Sequence, residues 1–310
     1  MTESPQSAAP SSSAPRNWKL TLSYDGTDFR GWQIQPGQPT IQGELQAALG
    51  RVARESPLPQ GSGRTDAGVH ALAQVASFPL QAAIPADNLR RALNRTLPDA
   101  IRVLDARPVP PSFHARHSTV AKTYEYRVFL QRPLLGDIPD APEPPVNMPK
   151  NPASETADHV ICPPFLARYV YAYPWPLDSD ALDAAAARFT GTYDFLSFAA
   201  TDPDQAARQG NRPTLTDEDG ELAHGAVRTI YSSSWQRHQI DEGAVLVYRV
   251  KGSGFLHHMV RNLVGTMLDV GRGYRSAHEI PAMIAARSRA AAGPTAPARG
   301  LFLHSVEYPQ

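Results

Sequence analysis

A loop framed by glycines, GSGRTDAGVHALAQVASF (Gly61–Phe78), carries an arginine and an aspartate two residues apart. Turns favour glycine, which adopts positive φ, and aspartate, which hydrogen-bonds to nearby backbone. Asp66 by itself therefore has an ordinary structural explanation, but a turn needs neither Arg64 nor an apolar strand directly after it. A carboxylate and a guanidinium held together in a flexible frame can instead act on a substrate. The carboxylate would serve as a nucleophile or in proton transfer.

The elements that must hold this loop alternate between strands and helices. The first part of the chain predicts a strand at Trp18–Gly26, a helix at Thr40–Glu55 with Thr40 as its N-cap, a short strand before Gly61, a strand in AQVASF, a helix in PADNLRRALNRTLP and a strand in IRVLDARPV. This order is βαββαβ, the ferredoxin-like unit.

The second part of the chain repeats the order with longer connections. It predicts a strand at Lys122–Leu130, a helix at Asp178–Gly191 capped by Asp178 or Ser179 and closed by Gly191, a hairpin of TIYSSSWQRHQ and AVLVYRVKG, a long amphipathic helix at Gly254–Gly273, a short helix in HEIPAMIAAR and a strand at Leu301–Tyr308. The sequence thus predicts an α+β protein of two tandem ferredoxin-like halves, 17–112 and 113–310. Their sheets would join into one mainly antiparallel sheet, with helices on one face and a central cleft.

Three proline-rich segments stand apart from this pattern. Residues 1–16 are rich in serine, alanine and proline, which predicts a disordered tail. Two polar, acidic segments near 136–160 and 200–225 predict mobile insertions. No apolar run approaches the roughly 20 residues of a membrane span, and the N-terminus lacks the hydrophobic core of a secretory signal. A single cysteine, Cys162, excludes an internal disulfide. We expect a cytoplasmic protein without a membrane partner.

Charge is segregated along a chain whose net charge is zero. Residues 51–132 hold twelve basic against six acidic residues, and residues 137–220 hold five basic against fourteen acidic residues. Zero net charge alone argues against a nucleic-acid-binding protein, whereas a basic region favours one. Scatter of these charges over solvated faces is the alternative interpretation.

Five sequence blocks, in order along residues 18–309, resemble the tRNA pseudouridine synthase A family. They are YDGTDFRGWQIQ, GRTDAGVHA, FHARHSTVAKTYEYRV, SGFLHHMVRNLVG and GLFLHSVEYP. The resemblance implies an isomerase that converts uridine to pseudouridine at positions 38, 39 and 40, in the anticodon stem-loop of tRNAs. It further implies tRNA bound in the central cleft, a homodimer, and no cofactor, because no group or electron enters or leaves the reaction. The two acidic insertions depart from the family pattern.

The same resemblance assigns roles to four residues. Asp66 would be the nucleophile; its point of attack, C1′ or C6, and an alternative role as a base toward the sugar stay open. Tyr124 would pack on the target base and take part in proton transfer. Arg261 would pair with Asp66 and keep it ionised, since an arginine within ~4–6 Å lowers an aspartate pKa by ~1–3 units. A stacked base must be flipped at a cost of a few kcal/mol, and Arg64 would hold the flipped nucleotide.

Six further residues are candidates for substrate contact, each with a plainer structural alternative. They are Arg30, Trp32, Arg116, Phe255, His258 and Leu301. Trp32 could simply close the first loop, and Phe255 and Leu301 could belong to the core. His257 and His258 resemble half of a metal site, but no third ligand has a suitable spacing in the sequence. We therefore predict a structural or RNA-contacting role for the two histidines, and no metal.

Two other classes of function fit parts of the sequence. Tandem RNA-recognition modules are also built from such units, but they carry an aromatic strand of the type KGFGFVxF, which this sequence lacks. A carboxylate-dependent hydrolase needs a second catalytic carboxylate, whereas the conspicuous partners of Asp66 are basic. The synthase interpretation is therefore the one we favour.

Overall fold

The computed structural model describes residues 15–131, 160–200 and 225–309. The predicted tail (1–16) and the two predicted insertions (near 136–160 and 200–225) lie outside the described residues, apart from their terminal positions. Their mobility therefore stays a prediction.

The N-terminal elements follow the predicted order. They are β1 (Arg16–Tyr24), α1 (Ile41–Ala53), β2 (Gln60–Gly61), β3 (His70–Leu80), α2 (Ala86–Thr96) and β4 (Ile101–Val109). The predicted cap of α1 is confirmed, because the side chain of Thr40 accepts a hydrogen bond from the backbone N–H of Gly43. This bond satisfies a donor that has no partner inside the helix.

The C-terminal elements include three that the sequence did not predict, namely α3, β6 and β7. The described strands and α-helices are β5 (Ala121–Gln131), α3 (Pro164–Ala167), β6 (Tyr171–Ala172), α4 (Ser179–Ala187), β7 (Gly191–Asp194), β8 (Val227–Ile240), β9 (Gly243–Gly252), α5 (Met259–Gly271), α6 (Ile280–Ala285) and β10 (Leu301–Glu307). Of the two caps considered for α4, Asp178 is the one used: its carboxylate accepts from the N–H groups of Asp180 and Ala181.

Two predicted helix boundaries were wrong. The long helix begins at Met259 and not at Gly254, because His258 adopts a left-handed conformation with φ 58°, which an α-helix cannot include. Helix α4 ends at Ala187, and Gly191, predicted to close it, instead begins β7. Short strands such as β7 carry too few residues to show a reliable period.

Helix α5 also differs from its predicted amphipathic character. Every residue of Met259–Gly271 is buried except Arg261. A helix that is buried on all sides runs through the core of a protein. Its polar residues are therefore hydrogen-bonded: Asn262 donates to the carbonyl of Phe198, and Thr266 donates to the carbonyl of Asn262.

The ten strands of the described residues form a single sheet in the order β4-β1-β3-β10-β5-β9-β8-β7, with β2 beside β3 and β6 beside β5. Neighbours are antiparallel except in the β3–β10 and β5–β6 pairs, which confirms one large, mainly antiparallel sheet. The parallel β3–β10 pair joins the two parts of the chain, with Phe302 opposite His70. Because parallel strands begin at the same end of a sheet, the loop before β3 lies beside the segment that leads into β10.

One continuous core underlies the sheet. Its largest fully buried side chains come from both parts of the chain and include Trp18, Phe78, Tyr126 and Tyr248. Among the described residues, we find no helix with the length and apolar character required to cross a membrane.

Candidate active site

The Asp66 loop connects β2 to β3 and is fixed from below by the first part of the chain. The backbone N–H of Trp32 donates to the carbonyl of Thr65 (2.9 Å), and the hydroxyl groups of Tyr24 and Thr65 are hydrogen-bonded to each other (2.8 Å). The N–H of Val69 donates to the carbonyl of Asp66 (3.1 Å), which closes a tight turn. The carboxylate of Asp66 is therefore presented by a loop with little freedom.

The first loop of the chain contacts the Asp66 loop closely at Gly31. This residue has φ 90°, and a Cβ atom there would lie 2.5 Å from the carbonyl oxygen of Thr65, so only glycine fits. Trp32 is 2% exposed and packs against Gly61. Trp32 thus supports the loop from the core, while Arg30 is exposed beside it.

Three basic side chains surround the carboxylate of Asp66. Nε2 of His257 lies 3.4 Å from Oδ1, Nε2 of His258 lies 3.2 Å from Oδ2, and Nη1 of Arg261 donates to Oδ2 at 3.2 Å. The predicted pair of Asp66 and Arg261 is therefore formed. The two histidine rings stack with their centroids 3.9 Å apart. The left-handed backbone of His258 allows these two adjacent side chains to face the same carboxylate.

The electrostatics of the cluster keep Asp66 ionised. Burial alone would raise its pKa, but the hydrogen bond from His257, the charges of both imidazoles and the guanidinium of Arg261 together lower it to about 2. Burial lowers the pKa of His258 to about 4, against the opposite influence of Asp66. Above that pH the His258 imidazole is neutral, so its charge acts on Asp66 only in acid. At neutral pH the guanidinium of Arg261 still carries its full charge.

Arg261 is itself held in place by a short segment, Gly293–Ala296, that crosses helix α5. Its Nε donates to the carbonyl of Ala296 (2.7 Å), and the N–H of Ala296 donates to the carbonyl of Arg261 (3.1 Å). Gly265 permits this crossing, because a Cβ atom there would lie 1.7 Å from the carbonyl oxygen of Pro294. The orientation of the guanidinium toward Asp66 thus depends on the close backbone contact between Gly265, one turn further along the helix, and Pro294.

We expect Gly265→Ala to destabilise the protein, although alanine normally favours a helix over glycine by ~1 kcal/mol. The added methyl group must displace the backbone of Pro294, and such overpacking typically costs ~1–3 kcal/mol, occasionally more. Thermal unfolding measures the loss. Gly254→Ala is the matched control, since its Cβ would meet nothing closer than the 3.8 Å contact with Arg228. Equal unfolding temperatures for the two variants would contradict this packing argument.

An open pocket adjoins Asp66 and contains most of the predicted site residues. Its volume is about 330 Å³, including the part that opens to solvent. Its lining residues are Arg64, Thr65, Asp66, Val69, Tyr124, Phe255, Leu256, His258, Met259, Val260 and Leu301. The rings of Tyr124 and Phe255 meet edge to face at 5.1 Å, while Arg64 is exposed. The pocket therefore combines an anionic carboxylate with apolar and aromatic walls.

Three predicted contact residues lie outside this lining, namely the buried Trp32 and the two arginines Arg30 and Arg116. Arg30 is on the first loop, and Arg116 is on the turn between β4 and β5, where its backbone N–H donates to Nδ1 of His114. The sequence analysis missed several lining residues, namely Thr65, Val69, Leu256, Met259 and Val260. It also gave His257 only a structural or RNA-contacting role and did not place it beside Asp66. The available signal was position: all six flank Asp66 or Arg261 inside the same motifs.

The family of the chain follows from a comparison with known proteins. A family model described as tRNA pseudouridine synthase matches residues 21–118 and 185–309, which together make up more than two thirds of the chain. The chain belongs to the tRNA pseudouridine synthase family. The matched segments contain Asp66 and Arg261, while Tyr124 lies between them.

Curated relatives agree with this member of the tRNA pseudouridine synthase family over nearly their full length. The tRNA pseudouridine synthase A of Solibacter usitatus is 44% identical over 94% of this chain and 100% of its own. The proteins of that name from Bacillus pumilus and Moorella thermoacetica are 40% and 39% identical, each over 94% of this chain and 98% of its own. The resemblance drawn from the motifs is thereby confirmed, and the chain is assigned to a family of isomerases.

Proposed function

We propose that this protein converts uridine to pseudouridine at positions 38, 39 and 40 of tRNA, in the anticodon stem-loop. The observation that carries the proposal is the ionised carboxylate of Asp66, bonded to Arg261 at one edge of a pocket with aromatic walls. The names of the relatives support tRNA as the substrate. The reaction we propose takes place in the cytoplasm.

In this reaction Asp66 acts as the nucleophile. The N1–C1′ bond of the uridine breaks, the base turns, and a C5–C1′ bond forms; C5 loses its proton and N1 gains one, so atoms and electrons balance without a cofactor. A carboxylate whose pKa is about 2 is anionic at neutral pH, and it can attack carbon but has no proton to donate. Attack at C1′ or at C6 is compatible with this charge state.

The other pocket residues receive roles from their positions. Tyr124 and Phe255 form the wall against which the base packs, and the hydroxyl of Tyr124 serves proton transfer. The exposed Arg64 lies two residues before Asp66 and holds the flipped nucleotide. Of the remaining candidates, His258 and Leu301 line the pocket, while Arg30 and Arg116 would contact RNA further from it.

The architecture behind this site is, in our proposal, two tandem ferredoxin-like halves, 17–112 and 113–310, with helices on one face and an RNA-binding cleft at their junction. The sheet order supports it. If the four main strands of each half are numbered along the chain, both halves place them in the spatial order fourth, first, third, second. These strands are β4, β1, β3 and β2 in the first half, and β10, β5, β9 and β8 in the second. The segments near 136–160 and 200–225 would be insertions in the second half.

The test of the proposed function is incubation of an unmodified tRNA with the purified protein, followed by mapping of pseudouridine at single-nucleotide resolution. We expect modification only at uridines 38, 39 and 40, and none when these three are replaced by cytidine. Pseudouridine at other positions would contradict the assigned target, and its complete absence from several tRNAs would contradict the function.

We expect a homodimer in which a tRNA reaches the active site of one subunit while its body rests on the other. A compact chain of 33.7 kDa has a radius of gyration of about 19–20 Å, so one subunit is shorter than a tRNA. A two-fold partner supplies a distant anchor, and it is the commonest closed assembly. Light scattering should give twice the chain mass, and full-length tRNA should be a much better substrate than the isolated stem-loop. A monomer with equal activity on both would remove the dimer from the mechanism.

A further inference from the structure

Asp66, His257 and His258 form a cluster of ligand atoms, and the proposed isomerisation assigns no chemical step to the two histidines. One donor atom from each residue lies within 4.8 Å of the other two. The sequence showed only the adjacent histidines, and the fold supplies the carboxylate as a third ligand from a loop far away in the chain. Two imidazoles and one carboxylate are a donor set typical of transition-metal sites in proteins.

We propose that this cluster binds a divalent transition-metal ion of the zinc, cobalt or nickel class, and that the bound ion inhibits the enzyme by occupying Asp66. The inhibition rests on the proposed role of Asp66 as nucleophile, whereas the binding does not. An ion shared with two imidazoles would withdraw the carboxylate from attack and block one edge of the pocket.

The observed spacing suits a metal ion with little rearrangement. Zinc binds histidine nitrogen at ~2.0–2.1 Å and carboxylate oxygen at ~2.0–2.2 Å, so two ligands on one tetrahedral ion are roughly 3.4 Å apart. The histidine–carboxylate distances are 3.4 Å from His257 to Oδ1 and 3.2 Å from His258 to Oδ2, so a small rotation of the carboxylate would place one oxygen beside both imidazoles. The stacked rings already aim both Nε2 atoms at the carboxylate. The three side chains are between 20% and 27% exposed, so an ion can reach them from solution.

The positive charge of Arg261 opposes metal binding, and this predicts the direction in which an Arg261 variant should change the metal affinity. Its guanidinium lies 3.2 Å from Oδ2 of Asp66, close to any cation that the cluster holds. Repulsion between the guanidinium and the metal ion, both positively charged, weakens metal binding. Removing the charge should therefore tighten metal binding, even though the same change damages the proposed catalytic site.

The experiment is a titration of the full-length protein with Co²⁺ in the absence of RNA, followed by ligand-field absorption. We expect one equivalent to bind. Loss of an outer-sphere partner commonly weakens a metal 10–100-fold, so Asp66→Asn, His257→Gln and His258→Gln should each weaken binding by more than about tenfold. Arg261→Gln should strengthen it. His117→Gln is the matched control, because His117 belongs to another close histidine pair, in which its ring centroid lies 4.3 Å from that of His114. This variant should leave Co²⁺ binding unchanged.

The inhibition is measured separately, with Zn²⁺ added to a pseudouridine assay that contains excess Mg²⁺ to keep the tRNA folded. Zn²⁺ should inhibit the wild type and a zinc-selective chelator should restore it, while Mg²⁺, which prefers oxygen ligands, should not inhibit. No Co²⁺ binding by the wild type, or binding that none of the three ligand variants weakens, overturns the site. Binding without inhibition overturns the consequence. An inactive wild type that still binds Co²⁺ would refute the proposed function and leave the metal site standing.

Discussion

Asp66→Ala and Asp66→Asn should abolish pseudouridine formation, with turnover falling by roughly 10⁴-fold, the size of loss found when a single catalytic carboxylate is removed. The structure offers no second carboxylate in its place: among the described residues, the ionisable groups paired with Asp66 are two imidazoles and a guanidinium. Single-turnover assays on unmodified tRNA measure the effect. Much of the tRNA affinity should remain, because phosphate contacts carry most of the binding.

The matched control for this loss is Asp87→Asn, which removes a carboxylate that is 81% exposed on helix α2. It should leave turnover unchanged. Loss of the Asp66 carboxylate also leaves Arg261 without this ion-pair partner. Thermal unfolding of the Asp66 variants therefore distinguishes a loss of chemistry from a loss of stability. Turnover of Asp66→Ala within about tenfold of the wild type would exclude Asp66 as the nucleophile.

Arg261→Ala should lower turnover and move the acidic limb of the pH–rate profile to higher pH. The active form has Asp66 ionised, and its pKa of about 2 lies below the ordinary 3.8, so the wild-type limb falls in strong acid. Without the guanidinium, burial of the carboxylate is opposed only by the histidines, and the pKa of Asp66 rises. Arg261 is the smallest of the influences that lower this pKa, so we expect a shift of about one unit, at the low end of the range usual for an Asp–Arg pair. A profile of kcat/KM against pH measures it.

Arg261→Lys is the informative control for that shift. It keeps a positive charge near Asp66 but loses the bond from Nε to the carbonyl of Ala296. If charge is the cause, the limb should return most of the way in the lysine variant, although turnover stays reduced by the altered geometry. An unmoved limb in Arg261→Ala would show that the histidines, and not the arginine, keep Asp66 ionised.

The sequence by itself determined the family and the order of most elements. Local patterns suffice for these: the spacing of Ile41, Leu45 and Leu49 predicts α1, and Thr40 marks its start with a cap that the structure contains. The family resemblance, carried by the motifs around Asp66 and Arg261, implied an ion pair between these two residues, and Nη1 of Arg261 lies 3.2 Å from Oδ2 of Asp66. Such inferences succeed because side-chain periodicity, capping and motif chemistry are properties of short segments.

Only the tertiary structure decided which segments meet and at what distance. No local pattern pairs β3 with β10, and it is this pairing that brings the Asp66 loop to the segment holding Arg261. The left-handed backbone of His258, which precedes the first residue of α5, has no signal in the local sequence, and the side chain of His258 contacts Asp66, far away in the chain. The requirement for glycine at position 265 likewise comes from a distant segment, because the backbone of Pro294 crosses the helix there. Long-range packing has no signature within a single segment, so these features required the folded protein.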